Sequence, residues 1–173
     1  LLKAKNIRYQ FAQGKSIFSV RSTILIYFYL KALNNYLNNS DKLFGLLLSE
    51  PFKINLEDYN KILKEKNLEK HKDKNDFITM MKILSDWKEP DKINKFLETF
   101  KTLQKYSQEN GLRNTILETI NRTGILEYFF KEPQNKMENL MGIKKIIDDA
   151  SEFELKDPTN TLADYVEYID TRF

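Results

Sequence analysis

Residues Gly14–Phe52, GKSIFSVRSTILIYFYLKALNNYLNNSDKLFGLLLSEPF, contain the densest apolar run of the chain and its clearest stop signals. The centre of this stretch, Ile24–Leu30, is apolar on every side, which is typical of a buried helix. A membrane span needs about 18 to 20 consecutive apolar residues, and Arg21 and Lys31 interrupt the run sooner. We therefore expect no membrane partner and predict a central helix over roughly Val20–Leu37, on which the other helices pack.

The residues after the central helix predict two further helices. A short helix over Lys42–Leu48 ends before Pro51, because proline interrupts helical hydrogen bonding. Asn55, with Asp58 three residues later, is a plausible cap for a helix from Leu56 to about Lys66. The intervening Pro51–Leu56 segment is predicted to be a turn.

Apolar residues at three- and four-residue spacing predict helices through the rest of the chain. Their apolar faces are Phe77, Met80, Met81, Leu84 and Trp87; Ile93, Phe96, Leu97, Phe100, Leu103 and Tyr106; Ile116, Leu117 and Ile120; Met137, Leu140, Met141, Ile143, Ile146, Ile147, Ala150 and Phe153; and Leu162, Tyr165, Val166 and Ile169. Gly124 is expected to close the helix over 112–123, and Thr161 with Asp164 predicts a capping box for the last helix. The aromatic cluster at 125–130 is expected to plug a core. The prediction is an all-α, irregular multi-helix bundle around a buried central helix.

Composition limits the kinds of chemistry that this chain can perform. Its 173 residues with 41% hydrophobic content are enough for one sizeable core. The absence of cysteine excludes disulfides, thiolate chemistry and cysteine-ligated zinc. The chain begins with Leu1 and no signal-peptide pattern follows, so we expect a piece of a longer protein.

Charge is distributed unevenly along the chain. Residues 1–90 carry 16 Lys and Arg against 10 Asp and Glu, whereas residues 91–173 carry 12 against 15. An anionic partner would therefore bind the first half. Biased genome composition explains the abundance of lysine and asparagine equally well.

The N-terminal residues have the period of a strand and a tempting nucleotide-binding tripeptide. Residues 7–12, IRYQFA, alternate apolar and polar side chains. An isolated strand is not stable, so it would pair outside this chain or form an extended arm. Gly14-Lys15-Ser16 resembles the end of a P-loop, but the required glycine five residues earlier is Tyr9. We therefore predict a loop there and no ATP site.

Several short motifs occur in an order that is familiar from one class of DNA motor proteins. They are Gly14, Ile17 and Phe18; Leu47, Leu48, Pro51 and Phe52; Thr123–Tyr128, TGILEY; Glu138, Asn139 and Leu140; Ala150–Phe153, ASEF; and Leu162–Tyr165, LADY. Their order and spacing resemble the 2B subdomain of UvrD/Rep/PcrA-like or RecB/AddA-like superfamily 1 DNA helicases. The resemblance extends over nearly the whole chain.

The resemblance implies an accessory helical subdomain inserted in the second RecA-like motor domain. Residues 1–16 would be a strand and hinge of that motor, with Gly14 and Lys15 at the hinge, and residues 17–173 would be the helical subdomain. The parent protein would be a cytoplasmic, nucleoid-associated hydrolase of DNA repair or recombination that uses ATP and Mg²⁺. The subdomain itself would contact the duplex DNA backbone and the remaining motor domains, and would regulate unwinding by rotation.

Two positions depart from the pattern of the resembled family. Ser22 stands where the family usually has an acidic residue entering the helix. The UvrD/PcrA branch carries a Gly-Ile-Gly element after the proline, whereas this chain has Pro51-Phe52-Lys53-Ile54-Asn55-Leu56-Glu57-Asp58. This segment is closer to the Pro-Phe-Gly-Leu-Ser-Asp-Glu-Asp style of the RecB/AddA branch, with Lys53 in place of the glycine.

The candidate DNA contacts are one loop, the start of one helix and the lysines that follow. They are Lys53, Asn55, Lys61, Lys64, Lys70 and Lys72. Free backbone N–H groups at the start of the helix and the lysine ammonium groups could hold phosphates in a sequence-independent, salt-sensitive manner. Neighbouring acids dilute the charge, so an ordinary mixed-charge surface is the alternative.

No catalytic residues, cofactor site or metal site are predicted in this chain. His71 is the single histidine and lies in a lysine-rich segment, and Asp148, Asp149 and Glu152 are expected to form a charged helix face. A second functional hypothesis therefore remains beside the helicase subdomain. It is a structural or protein-interaction helical domain, such as the equivalent part of a motor-inactive helicase-like subunit.

Overall fold

The computed structural model describes residues 19–34, 45–66 and 86–171, and for residues 65 and 66 the backbone alone. Within these ranges the chain is all-helical and contains no strand. The helices are α1 (Arg21–Asn34), α2 (Leu56–Lys66), α3 (Pro90–Glu109), α4 (Leu112–Thr123), α5 (Ile125–Lys131), α6 (Lys136–Lys156) and α7 (Leu162–Asp170), and residues 45–48 add a further helical turn. The predicted strand at 7–12, the boundary at residue 16, the hinge residues Gly14 and Lys15, and the lysines Lys70 and Lys72 lie outside the described residues.

Helix α1 occupies the centre of the bundle, as its sequence predicts. It packs against α3, α4, α5, α6 and α7. Ile26, Tyr29 and Leu30 are fully buried, so one face of α1 supplies much of the common core. The prediction that Ile24–Leu30 is buried on every side is wrong for Phe28, which is 40% exposed, because α1 is covered by helices on only part of its circumference in the described ranges.

The core beside α1 is rich in aromatic side chains. The rings of Tyr29 and Phe100 stack with centroids 5.7 Å apart, and Phe96 contacts both Phe52 and Phe100. These side chains come from α1, α3 and the segment before α2. The predicted stripe of α3 is confirmed, since Ile93, Phe96, Phe100 and Leu103 are all fully buried. Large buried aromatic surfaces of this kind supply much of the free energy of folding.

The start of α1 is fixed to α6 by a close crossing. The backbone N–H of Ser22 donates to Asn139 Oδ1 at 3.1 Å, and Ser22 Oγ donates to the Asn139 carbonyl oxygen at 2.8 Å. Gly142, one turn further along α6, has no side chain to hold the helices apart. The first turn of α1 is therefore capped by a residue that lies 117 positions later in the chain.

Several helix ends lie where the sequence places them. Helix α4 has the predicted bounds and ends at Gly124, which has a positive φ of 75°. Thr161 and Asp164 form the predicted capping box at the start of α7. The prediction that a helical apolar stripe continues to Trp87 is wrong at that residue. Residues 86 and 87 are not helical, and Asp86 has a φ of 60°. The rest of that stripe lies outside the described residues.

The cluster at 125–130 is only half buried. Ile125 and Phe129 are fully buried, but Leu126 is 49% exposed and Phe130 is 59% exposed. Helix α5 is a seven-residue helix on the surface of α6, and a helix in that position buries one face. The expectation that the whole cluster plugs a core is therefore wrong for these two residues.

Candidate nucleic-acid interface

Lys53 projects from a tight turn that is anchored by two buried neighbours. Phe52 and Ile54 are each 4% exposed, and the Ile54 N–H donates to the Leu47 carbonyl oxygen at 2.9 Å. The Lys53 N–H donates to the Ser49 carbonyl oxygen at 2.9 Å. With both flanking side chains directed into the core, the Lys53 side chain extends into solvent and is 70% exposed.

The backbone of Lys53 has an unusual conformation for a residue with a side chain. Its φ is 38°, in the left-handed region that glycine occupies without steric cost. The turn therefore has the backbone geometry of a glycine position. A lysine there exposes a cation at the tip of the turn and accepts some strain.

The start of α2 is capped from within its own sequence. Asn55 Oδ1 accepts a hydrogen bond from the Glu57 N–H at 2.8 Å, so Asn55 acts as the N-cap that the sequence predicts. Glu57 and Asp58 also lie in the first helical turn. One of the N–H groups expected to hold a phosphate is therefore already bonded, and the nearby carboxylates reduce the attraction for an anion.

Asp58 does not complete a capping box with Asn55. Its carboxylate is fully buried and accepts hydrogen bonds from the backbone N–H groups of Lys88 at 2.8 Å and Glu89 at 3.0 Å. A buried carboxylate is stable only when its oxygens are satisfied in this way. Asp58 consequently joins the first turn of α2 to the segment that leads into α3.

Two further lysines, Lys88 and Lys92, lie near Lys53 because Asp58 joins these segments. Lys92 Nζ donates to the Lys53 carbonyl oxygen at 3.2 Å, and Lys88 Nζ lies 3.6 Å from Glu57 Oε2. Lys88 and Lys92 are more than 30 positions from Lys53 in sequence, and no local motif associates them with it. The buried contacts of Asp58, together with the packing of Phe52 on Phe96, hold these cations near one another.

Each of three lysines on this surface has a carboxylate partner. Lys53 pairs with Glu50 at 3.2 Å, Lys88 pairs with Glu57 at 3.6 Å, and Lys92 pairs with Glu89 at 2.9 Å. Exposed pairs of this kind contribute about 0 to 1 kcal/mol each, so a phosphate can compete for the lysines. The surface is nevertheless of mixed charge.

The remaining candidates lie along α2. Lys61 Nζ donates to the Asp86 carbonyl oxygen, and Lys64 lies one turn further on and is exposed. Lys53 and Asn55 thus lie in the turn before α2, and Lys61 and Lys64 lie within α2.

A groove of about 400 Å³ lies between α1 and the turn that leads to Pro51. Its α1 wall is formed by Arg21, Ile24, Leu25 and Phe28, which recur at helical spacing on one face. Its opposite wall includes Leu46 and Glu50. The groove is mainly apolar, and the guanidinium of Arg21 donates to Glu132 Oε1 at 2.6 Å and to the Tyr128 hydroxyl at 2.8 Å.

Of the acidic face predicted on α6, Asp148 and Glu152 are exposed, as expected, and Asp149 contributes to helix packing. Asp149 accepts hydrogen bonds from the Tyr165 hydroxyl at 3.0 Å and the Tyr168 hydroxyl at 3.5 Å, and Asp148 pairs with Lys144. The part of the chain that the structure describes contains no group of three acidic or histidine side chains placed to hold a metal ion. It also contains no helix long and apolar enough to cross a membrane.

No protein-family model matches the chain, and no curated protein sequence matches it significantly.

Proposed function

We propose that this chain is the 2B-type accessory subdomain of an ATP-dependent superfamily 1 DNA helicase, and that the surface around Lys53 contacts the duplex DNA backbone. The chain itself contributes no ATPase chemistry in this proposal. It acts as a helical body that binds duplex DNA ahead of the fork and regulates unwinding by rotating on the motor. The parent protein would supply the ATP and Mg²⁺ sites.

The observation that carries this proposal is the geometry of the Pro51–Asp58 segment. In the resembled RecB/AddA pattern, the residue after Pro-Phe is glycine, and here Lys53 has the left-handed φ of 38° that suits glycine. The resembled serine is replaced by Asn55, which caps α2, and serine and asparagine are both good N-caps. Lys53 and Asn55 thus adopt conformations that glycine and serine favour, and this agreement supports the proposal.

Other residues of the resemblance lie where helices meet. Gly124 of the TGILEY motif has a positive φ and joins α4 to α5. Asn139 of the Glu-Asn-Leu motif caps α1, and Tyr165 of the LADY motif is fully buried. These residues lie at contacts between helices of this chain, and their placement supports the proposal.

DNA binding in this proposal depends on charge and not on base recognition. Lys53, Lys61 and Lys64 would contact phosphates, and Lys88 and Lys92 would extend the contact. Binding to the phosphate backbone releases counterions, so the logarithm of the affinity falls with the logarithm of salt concentration with a slope of about −0.9 per phosphate neutralised. Because carboxylates partner several of these lysines, we expect weak binding that is measurable at low salt.

The test is a salt titration with a fluorescently labelled duplex, read by anisotropy. The triple variant Lys53→Glu/Lys61→Glu/Lys64→Glu should bind more weakly and reduce the magnitude of the salt slope by about 1 for each phosphate that is no longer neutralised. The matched control is Lys101→Glu/Lys105→Glu/Lys144→Glu, which changes net charge equally at exposed positions on other helices. Equal affinities for the two triple variants would refute the proposed interface.

The second candidate function is a structural or protein-interaction domain of a motor-inactive helicase-like subunit. The exposed side chains of Leu126 and Phe130 favour it, since apolar groups on a surface helix often bind other proteins. The two functions predict different flanking sequences in the parent polypeptide. Intact helicase motifs, including a P-loop, support the motor-associated role, and degenerate motifs support the second.

A further inference from the structure

Helix α5 presents an apolar surface beside a cation that lies against an aromatic ring. Leu126 and Phe130 are one helical turn apart, so they lie on the same face, and about half of each side chain is exposed. The ammonium nitrogen of Lys136 lies 3.7 Å from the centroid of the Phe130 ring. We call these three residues the Phe130 surface.

The charges around the Phe130 surface are mainly positive. Glu127 pairs with Lys131 at 2.6 Å, and this hydrogen bond, assisted by Lys95, holds the pKa of Glu127 below its usual range. In the described ranges, Lys136 has no carboxylate partner. The cations near the ring therefore outnumber the acid on this face.

The other acids of this region point away from the Phe130 surface. Glu132 accepts from Arg21 at 2.6 Å and from Asn139 at 3.4 Å. Glu138 lines a small polar cavity of about 200 Å³ together with Ser19 and Arg21. Their carboxylates are directed to the α1 side of α5 and α6, and an acidic ligand on the Phe130 surface would not face them.

Two classes of anionic ligand contain apolar groups that could cover this surface. A nucleobase stacks on an aromatic face, and Lys136, 3.7 Å from the ring centroid, leaves one face of Phe130 for such a contact. An acidic peptide needs no stacking, because an aliphatic or aromatic side chain can cover Leu126 and the edge of Phe130. Its carboxylates can pair with Lys136 and Lys131, and Lys136 is held in place by the ring in advance of binding.

We propose that the Phe130 surface binds an acidic segment of a partner protein that carries an apolar anchor residue. The apolar side chain would cover Leu126 and Phe130, and the flanking carboxylates would pair with Lys136 and Lys131. This surface lies on α5 and α6 and includes none of the lysines proposed to contact DNA, which are Lys53, Lys61, Lys64, Lys88 and Lys92. The proposal therefore does not depend on the proposed DNA contact.

The test uses the ¹⁵N-labelled chain and a synthetic peptide in which a Phe-Leu pair is flanked by aspartates. The expected result is a set of amide shift changes centred on α5 and the first turn of α6. Phe130→Ala should weaken binding about tenfold, as loss of a central aromatic contact commonly does, and Lys136→Glu should abolish binding. Leu155→Ala is the control, because Leu155 is 81% exposed at the other end of α6 and its loss should leave the affinity unchanged.

Three outcomes would overturn the proposal. One is equal affinity of wild type and Phe130→Ala, when both retain the wild-type helical circular dichroism spectrum. The second is equal binding of a matched peptide with lysine in place of aspartate, which would remove the role of charge. The third is Phe130-dependent binding of a thymidine oligonucleotide without binding of the acidic peptide, which would assign the surface to nucleic acid.

Discussion

Substitution of Gly142 by alanine is expected to destabilise the fold at the crossing of α1 and α6. A Cβ at position 142 would lie 2.8 Å from Ser22 Oγ, 2.9 Å from Val20 Cγ1 and 3.1 Å from Thr23 Cγ2. Contacts below about 3 Å between such atoms require a shift of one group. These atoms belong to buried residues at the start of α1 and to Val20 just before it, where side chains have little freedom to move.

Two opposing effects determine the size of the change. Alanine favours a helix over glycine by about 1 kcal/mol, which would stabilise α6. Overpacking costs about 1 to 3 kcal/mol. A shift of Ser22 would also weaken its buried hydrogen bonds of 3.1 Å and 2.8 Å to Asn139, and each buried group left unpaired costs about 1 to 3 kcal/mol. We expect a net loss of about 1 to 3 kcal/mol, and each kcal/mol lowers Tm by about 2 to 4 °C at this chain length.

The assay is urea unfolding followed by circular dichroism, with Gly45→Ala as the matched control. A Cβ at Gly45 would meet nothing within 4 Å, so that variant should be as stable as wild type or slightly more stable. The double variant Ser22→Ala/Gly142→Ala removes the nearest clashing atom and should lose less stability than the sum of the two single changes. A Gly142→Ala protein as stable as Gly45→Ala would refute the close-crossing argument.

Four further changes test individual interactions. Lys53→Gly should stabilise the fold by about 0.5 kcal/mol, because relief of a left-handed strain of about 1 to 2 kcal/mol exceeds the entropy cost of glycine; an unchanged or lower Tm would contradict this. Glu154→Ala should cost about 1 to 2 kcal/mol in urea unfolding, since its carboxylate accepts from the first two N–H groups of α4 at 2.9 and 3.2 Å, and wild-type stability would exclude a capping role. Tyr29→Phe should be neutral or slightly stabilising, because its buried hydroxyl has no hydrogen-bond partner among the described residues, whereas a loss above about 1 kcal/mol would reveal a partner elsewhere in the chain. The hydrogen bond from the Thr161 side chain holds the pKa of Asp164 below its ordinary value of 3.8. The ionised carboxylate therefore adds its full contribution to folding stability above that pH, and this contribution is lost as the pH falls through the folded-state pKa. Asp164→Asn should reduce the loss of stability on acidification, measured by thermal unfolding from neutral to acidic pH.

Helix features that depend on residues close together in the sequence, such as apolar stripes and caps, were predicted well. The stripe from Ile93 to Leu103 is buried as its spacing indicates, and Gly124 closes α4. The capping box at Thr161 also forms as predicted. In each of these cases the interacting groups lie within a few residues, so the pattern contains the physical information that it needs.

The surroundings of Lys53 could be described from the sequence only in part. Lys53, Asn55, Lys61 and Lys64 follow one another along the chain, and the structure retains them on one segment. Lys88 and Lys92 lie near Lys53 through contacts between distant parts of the chain, among them the Asp58 carboxylate, which accepts from the N–H groups before α3. The sequence suggests that Asp58 caps its own helix, and nothing local indicates that it bonds to a different segment.

The sequence by itself determined the positions of most helices, the central place of α1 and the main core stripes, because apolar periodicity and local caps act over short distances. The tertiary structure decided which side chains accept hydrogen bonds from the backbone N–H groups at three helix starts. Asn139 caps α1, Asp58 accepts from the segment entering α3, and Glu154 caps α4. It also decided that Leu126 and Phe130 face outward while their neighbours are buried. The physical reason is the same in each case, since a backbone donor or an apolar face can be satisfied by any suitable group that packing brings near, and sequence spacing does not specify which one.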